Sequence, residues 1–123
     1  MSKILMSIKP VYVDKILSGE KCYEYRKTLP KRDVSKIIIY STHPVKKVVG
    51  EVSVKNILIL EKEELWNKTK DKSGISKEFY DLYFKDKSIS VAYELGEINI
   101  YSPYKDLKDL NINFVPQSFI YLD

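Results

Sequence analysis

The sequence predicts a mainly β, α+β domain, folded as a small barrel of about six strands with two to three short helices between them. Segments of strand character outnumber helical ones, and most are short β-branched or alternating runs bounded by Pro, Gly or polar turns. The 123 residues hold four Gly and five Pro, with no repeat, low-complexity tract or linker, so residues 1–123 read as one domain. A strand-rich chain of this size avoids exposed sheet edges by closing on itself, which favours the barrel over an open α+β sheet with helices on one side.

Ile4, Met6 and Ile8 alternate around Leu5 and predict a buried first strand ending at Lys9. Pro10 suits the first turn of a helix, because its missing N–H would be unpaired there in any case. Val13, Ile16 and Leu17 give that helix an apolar face, and Gly19 stands where it should end. Lys21 to Lys27 alternates as a strand, with Cys22, Glu24 and Arg26 on one face and Tyr23 and Tyr25 on the other. Thr28 to Ser35 reads as a basic loop, Lys36 to Thr42 as a β-branched strand stopped by Pro44, and Val48 to Leu60 as a long strand. Gly50 within it is a candidate bulge or close backbone approach.

Glu61 to Lys72 predicts a helix with acids in its first turn and lysines in its last, as the helix dipole prefers. Ser73-Gly74 breaks it. Ser76 caps a second helix running to about Lys85, with Phe79, Leu82 and Tyr83 as its apolar stripe. Ser88 to Tyr101 is a strand pair or one strand bent at Gly96 and ended by Pro103. Asp106 to Leu110 is a short helical turn, and Ser118 to Leu122 is the closing strand.

Composition narrows the chemistry. With Cys22 as the single cysteine and His43 as the single histidine, an internal disulfide and a Cys/His zinc site are excluded, and a serine or cysteine triad would have to use His43 as its base. No apolar run reaches the 18 or so residues of a membrane span, and Met1 to Pro10 lacks the pattern of a secretory signal. The expectation is a cytoplasmic protein with no membrane partner. Residues 1–60 carry twelve Lys/Arg against five Asp/Glu, and residues 61–123 carry nine against twelve. A basic half suits a polyanion, although lysines spread over a solvated surface give the same count.

The segment S-I-K-P at Ser7 to Pro10, followed by G-E-K-C-Y-E-Y-R from Gly19 to Arg26, resembles the ASCH family, a branch of the PUA-like barrels. The family pattern G-x-K-x-x-E-x-R is matched at all four positions by Gly19, Lys21, Glu24 and Arg26. The later segments I-I-I-Y-S-T-H-P-V-K-K-V-V-G-E-V and P-Q-S-F are similar too, so the resemblance runs from Met6 to Tyr121. It implies a β-barrel with a cleft lined by the motif, and binding of RNA or a nucleotide-like ligand. Some relatives are hydrolases acting on acetylated cytidine or on RNA. In the acetylcytidine amidohydrolase branch the position of Glu24 is a threonine nucleophile, so glutamate here does not carry that chemistry over intact.

Each motif residue has a chemical and a structural reading. Gly19 permits a positive φ or a close ligand approach, or simply ends a helix. Lys21 offers a point charge to a phosphate or a developing oxyanion, could act as a base if desolvated, or is a solvated lysine. Glu24 can accept from base amino groups or activate water, and Arg26 can read a phosphate in a bidentate way; equally, the two can form a structural ion pair. Tyr23 and Tyr25 could stack on bases, but opposite Glu24 they read as core.

Further ligand-binding candidates are Lys9 in the S-I-K-P segment, Lys31 and Arg32 in the basic loop, Tyr40 and Ser41 at a strand end, and Gln117 and Ser118 before the last strand. His43 is a candidate base or a surface turn residue. The expected function is RNA or nucleotide binding in the motif cleft. The alternatives are a small hydrolase acting on a modified nucleoside or on RNA, with Lys21 and Glu24 as catalytic groups, or a protein-interaction module with a structural Glu24–Arg26 pair. None of these requires a metal or an organic cofactor, and protein partners are left open.

Overall fold

Alternation in the first strand, β1 (Ser2–Ile8), sends Ile4, Met6 and Ile8 to one face and Leu5 to the other in the computed structural model, which describes residues 2–122. The remaining elements follow the predicted order: α1 (Pro10–Leu17), β2 (Tyr23–Arg26), β3 (Val34–Ser41), β4 (Lys47–Glu61), α2 (Lys62–Thr69), α3 (Lys77–Tyr83), β5 (Ile89–Lys105) and β6 (Phe119–Tyr121). Short 3₁₀ turns occupy Lys70–Lys72 and Leu107–Leu110.

The strands form one mixed sheet in the order β2-β5-β4-β3-β1-β6, in which β1 and β3 are parallel and the other pairs antiparallel. The sheet curls into a half-barrel. Its inside holds Ile4, Met6, Ile8, Ile37, Ile39, Val49, Val52, Tyr93 and Leu95, with Val13 and Ile16 of α1 packed among them. At about 1.5–3 kcal/mol for each fully buried large aliphatic side chain, this cluster is the main source of stability. The opposite face carries two smaller cores. Tyr25, Leu65, Tyr80, Phe84 and Ala92 pack beneath α2 and α3, and Leu5, Ile38, Tyr40 and Val48 pack near the 107–110 turn.

Several boundaries differ from the sequence reading for identifiable reasons. Glu61 is the cap of α2 rather than part of it, its carboxylate accepting from the main-chain N–H groups of Glu63 and Glu64. In α3 and its C-cap the buried pair is Tyr80 and Phe84, while Phe79 and Leu82 are exposed, so the apolar stripe is turned by one residue from the expected one. Pro103 does not end β5. The ladder with β4 passes from Gly50↔Ile100 to Val48↔Lys105, so Pro103 falls in a stretch without ladder partners, where a missing N–H is harmless. Gly50 borders a bulge, in which Val49 is the residue without a ladder partner, and is itself a close approach, since a Cβ there would lie 2.5 Å from the Asn99 carbonyl oxygen.

The end strands β2 and β6 do not pair with each other. The seam between them is bridged by Arg26, whose Nη2 donates to the main-chain oxygen of Ser7 at 3.1 Å and whose Nη1 donates to Ser118 Oγ at 3.2 Å. Ser7 Oγ in turn donates to the Pro116 oxygen at 2.6 Å. Side chains therefore close what the backbone ladder leaves open.

Candidate ligand-binding cleft

Two main-chain bonds hold the motif in place. Lys21 N–H donates to the Lys15 oxygen and Cys22 N–H to the Lys72 oxygen, both at 2.9 Å, so this short segment is clamped between α1 and the 70–72 turn. Lys21 is only 3% exposed. Gly74, at φ +69°, lies against its stem: a Cβ there would be 2.7 Å from Lys21 Cβ and Cγ. The ammonium donates to the Ser73 carbonyl oxygen at 2.5 Å and lies 4.9 Å from the centre of the Tyr25 ring and 5.6 Å from that of Tyr12. Burial lowers its pKa to about 8, against the opposing pull of the Glu24 carboxylate.

Glu24 follows on β2 with its side chain 9% exposed. Its Oε2 accepts from Arg26 Nη2 at 2.8 Å and Nε at 3.2 Å. The two-residue spacing on one strand face, read from sequence, makes this pair possible. Beside it in the ladder, opposite Glu24 on β5, stands Tyr93, fully buried with a hydroxyl that has no hydrogen-bond partner among the described residues. Burial pushes the pKa of that phenol up to about 12, with Arg26 pulling the other way.

Lys21, Glu24 and Arg26 open into a cleft of about 400 Å³. Lys9, Lys21, Glu24, Arg26 and Gln117 line it, together with Ser7, Thr42 and Pro116. Its walls are Tyr12 from α1, Ile75, and Phe79 and Tyr83 from α3; the last two rings lie 16° from parallel with centres 6.3 Å apart. Tyr25 contributes to the cleft as well as to the aromatic core. The arrangement places cations and one paired carboxylate at the base of an aromatic-walled cleft, a combination suited to a phosphate joined to a flat ring.

Other sequence candidates lie elsewhere. Gly19, at φ +84°, ends α1 with open space around it and does not line the cleft. Tyr40 and Ser41 are buried, Tyr40 in the core on the opposite face, and neither reaches the cleft. Ser118 meets the site through Arg26. Lys31 and Arg32 line a different depression. His43 is an exposed turn residue. Sequence reasoning missed Tyr12, Ile75 and Pro116 as cleft residues, and it assigned Phe79 and Tyr83 to a packing stripe. The one signal that could have found them was the i,i+4 spacing of Phe79 and Tyr83, which Tyr80 and Phe84 share. Among the described residues, no group of three His, Cys, Asp or Glu side chains is placed to hold a metal ion, and no helix is long and apolar enough to cross a membrane.

The family model for the ASCH domain matches residues 6–112. The chain belongs to the ASCH domain family. The crystal structure of the ASCH protein from Zymomonas mobilis superposes on this ASCH domain with a TM-score of 0.89 at 28% sequence identity, covering 98% of this chain and 87% of that one. A variant of that protein gives a TM-score of 0.90. In sequence, the domain is 30% identical over 122 residues to the ASCH domain-containing ribonuclease of Zymomonas mobilis, covering 96% of this chain and 82% of the relative. It is also similar to parts of two larger Ureaplasma parvum proteins, at 33% identity to ATP synthase subunit alpha and 35% to large ribosomal subunit protein uL22. The chain spans only 15% and 33% of the length of those two relatives.

Proposed function

We propose that this ASCH domain binds RNA, or a nucleotide-like ligand, in the Lys21–Glu24–Arg26 cleft. The observation that carries this reading is a buried ammonium at the base of a cleft walled by Tyr12, Phe79 and Tyr83. A phosphate beside Lys21 and Arg26 would bring its own base against those rings, and the free oxygen of Glu24 can accept from an exocyclic amino group. The test is an amide-resolved NMR titration with uridine monophosphate and, separately, a short mixed-sequence RNA. Shifts centred on residues 21–26 and 79–83, lost in Lys21→Ala, are expected. No shift at those positions with either ligand would refute the reading.

A second reading, RNA hydrolysis, is favoured by the ribonuclease relative, most of whose length this chain matches. In it, Glu24 accepts the proton of the ribose 2′-hydroxyl as that oxygen attacks phosphorus, through the carboxylate oxygen that Arg26 does not hold. The P–O5′ bond breaks, and the departing 5′-oxygen takes a proton from the Lys21 ammonium, which also faces the charge on the phosphoryl oxygens. Lys21, at about 8, lies near enough to neutrality to exchange a proton as well. The same tubes are assayed for cleaved RNA, with acetylcytidine as a control substrate. RNA cleavage that disappears in Glu24→Gln while binding persists is the expected signature. Intact RNA at saturating protein leaves binding alone.

A further inference from the structure

A second depression of about 770 Å³ opens where the basic loop 27–33 meets β4. Its lining includes the half-exposed apolar side chains of Leu29 (53%) and Ile59 (47%) together with Lys31, Arg32 and Lys55, against one acid, Asp33, among the described residues. The loop is held in shape. The main-chain N–H of Lys31 donates to Tyr121 Oη at 2.7 Å, and the Arg32 guanidinium lies 4.4 Å from the centre of the Tyr121 ring. The Lys31 and Lys55 side chains make no ion pair among the described residues, whereas nearby Lys36 is bound to Glu51.

The depression and the cleft lie along one seam. Gln117 lines the cleft and Tyr121 anchors the loop, and the four residue steps from one to the other span at most roughly 13 Å. On the other side of the seam, Lys27 follows Arg26 directly, with its ammonium 4.8 Å from the centre of the Tyr83 ring in the cleft wall. Cations therefore continue from the cleft along the loop to the depression.

We propose that this depression is a second, phosphate-binding subsite, which holds the backbone of a single-stranded RNA whose end nucleotide occupies the cleft. The proposal rests on the cleft reading and adds a substrate class to it: a strand of several nucleotides rather than a free nucleotide. A flexible single strand can follow the bend of the loop and place the apolar faces of its bases against Leu29 and Ile59, while Lys31 and Lys55 meet its phosphates.

The experiment compares the affinities of uridine monophosphate and pentauridylate, across a salt series, for the wild-type protein, Lys31→Ala/Lys55→Ala and Lys21→Ala. Both substituted lysines of the double variant are exposed, and Arg32 is left on its ring, so the fold is retained. The double variant should bind pentauridylate about tenfold more weakly at 0.1 M salt and leave monophosphate affinity unchanged. Its salt slope should fall by about 0.7 for each phosphate that is no longer neutralised. Equal pentauridylate affinity and slope in the double variant and the wild type overturn the subsite and leave the cleft reading standing, provided Lys21→Ala has lost the monophosphate. Pentauridylate binding that needs Lys31 and Lys55 but not Lys21 overturns the cleft reading, and with it the shared strand. Polyglutamate of matched charge competing as strongly as pentauridylate overturns the proposal in favour of an acidic protein segment.

Discussion

Gly74 lies directly on the buried stem of Lys21, so close that any β-carbon at position 74 would meet three carbons of the lysine at 2.7–2.8 Å. The positive φ of Gly74 disfavours a side chain there as well. Gly74→Ala should therefore destabilise the protein by about 1–3 kcal/mol and displace Lys21 from the carbonyl of Ser73. Urea unfolding measures the first effect and the lysine's titration the second. A variant as stable as the wild type, with an unchanged Lys21 titration, would contradict this packing.

Lys21 also sets an unusual pH profile. Its folded pKa of about 8 lies below the ordinary 10.5, so between those values the unfolded chain binds more protons and stability rises with pH. Below about pH 8 the cost of burying the charge is present in full. Tyr25, Tyr93 and Tyr101 act in the opposite sense: burial raises their pKa values, so above about pH 10 the unfolded chain loses protons that the folded one keeps, and stability falls. Unfolding free energy should climb from pH 8 to a maximum near pH 10, by at most about 1.4 kcal/mol per pH unit. In Lys21→Met the climb should vanish and the fall remain.

Arg26→Ala removes the partner of a carboxylate that is almost fully buried and unties both sheet edges, at an expected cost of about 3–5 kcal/mol. Adding Glu24→Gln should recover part of that stability, because the stranded charge is gone while the seam bonds remain broken. Denaturant curves of the two single variants and the double variant give the coupling. Strict additivity would mean that the pair contributes nothing beyond its separate members.

The orphan hydroxyl of Tyr93 makes a simpler case. Tyr93→Phe removes a buried polar atom with no hydrogen-bond partner among the described residues, so the variant should be more stable by on the order of 1 kcal/mol. A drop in stability instead would show that the hydroxyl is not a net cost to the fold.

Phe79 separates binding from folding. It is 39% exposed on the cleft wall, so Phe79→Ala should change stability little. Ligand affinity should drop by about 1–3 kcal/mol, the usual worth of one base stacked on an aromatic ring. Unchanged affinity for a short RNA would remove α3 from the binding surface.

Element order, the six strands and the Glu24–Arg26 pair were all legible in the sequence, because alternation and helical spacing are local and strong here. Pro103 misled because a proline's meaning depends on whether its strand neighbour wants the N–H, which only the β4–β5 register decides. Tyr40 stands at a strand end, as its position predicts, but its parity on β3 sends it to the opposite face with Leu5 and Val48. The aromatic wall was hidden for a similar reason. Phe79–Tyr83 and Tyr80–Phe84 carry the same period, and only the docking of α3 on the sheet chose which pair to bury.

The seam has a consequence for synthesis. Arg26 must find Ser7, a near neighbour in the chain, and Ser118, which lies 92 residues further on. Most of the sheet can form while the chain is still emerging from the ribosome, since β1 to β5 contain the long ladders. The cleft cannot, because Pro116 and Gln117 supply part of its lining and arrive after those strands. A chain cut short before that loop would retain nearly all of its core and lack the Pro116–Gln117 side of the cleft, so that wall is the last part of this half-barrel to be supplied.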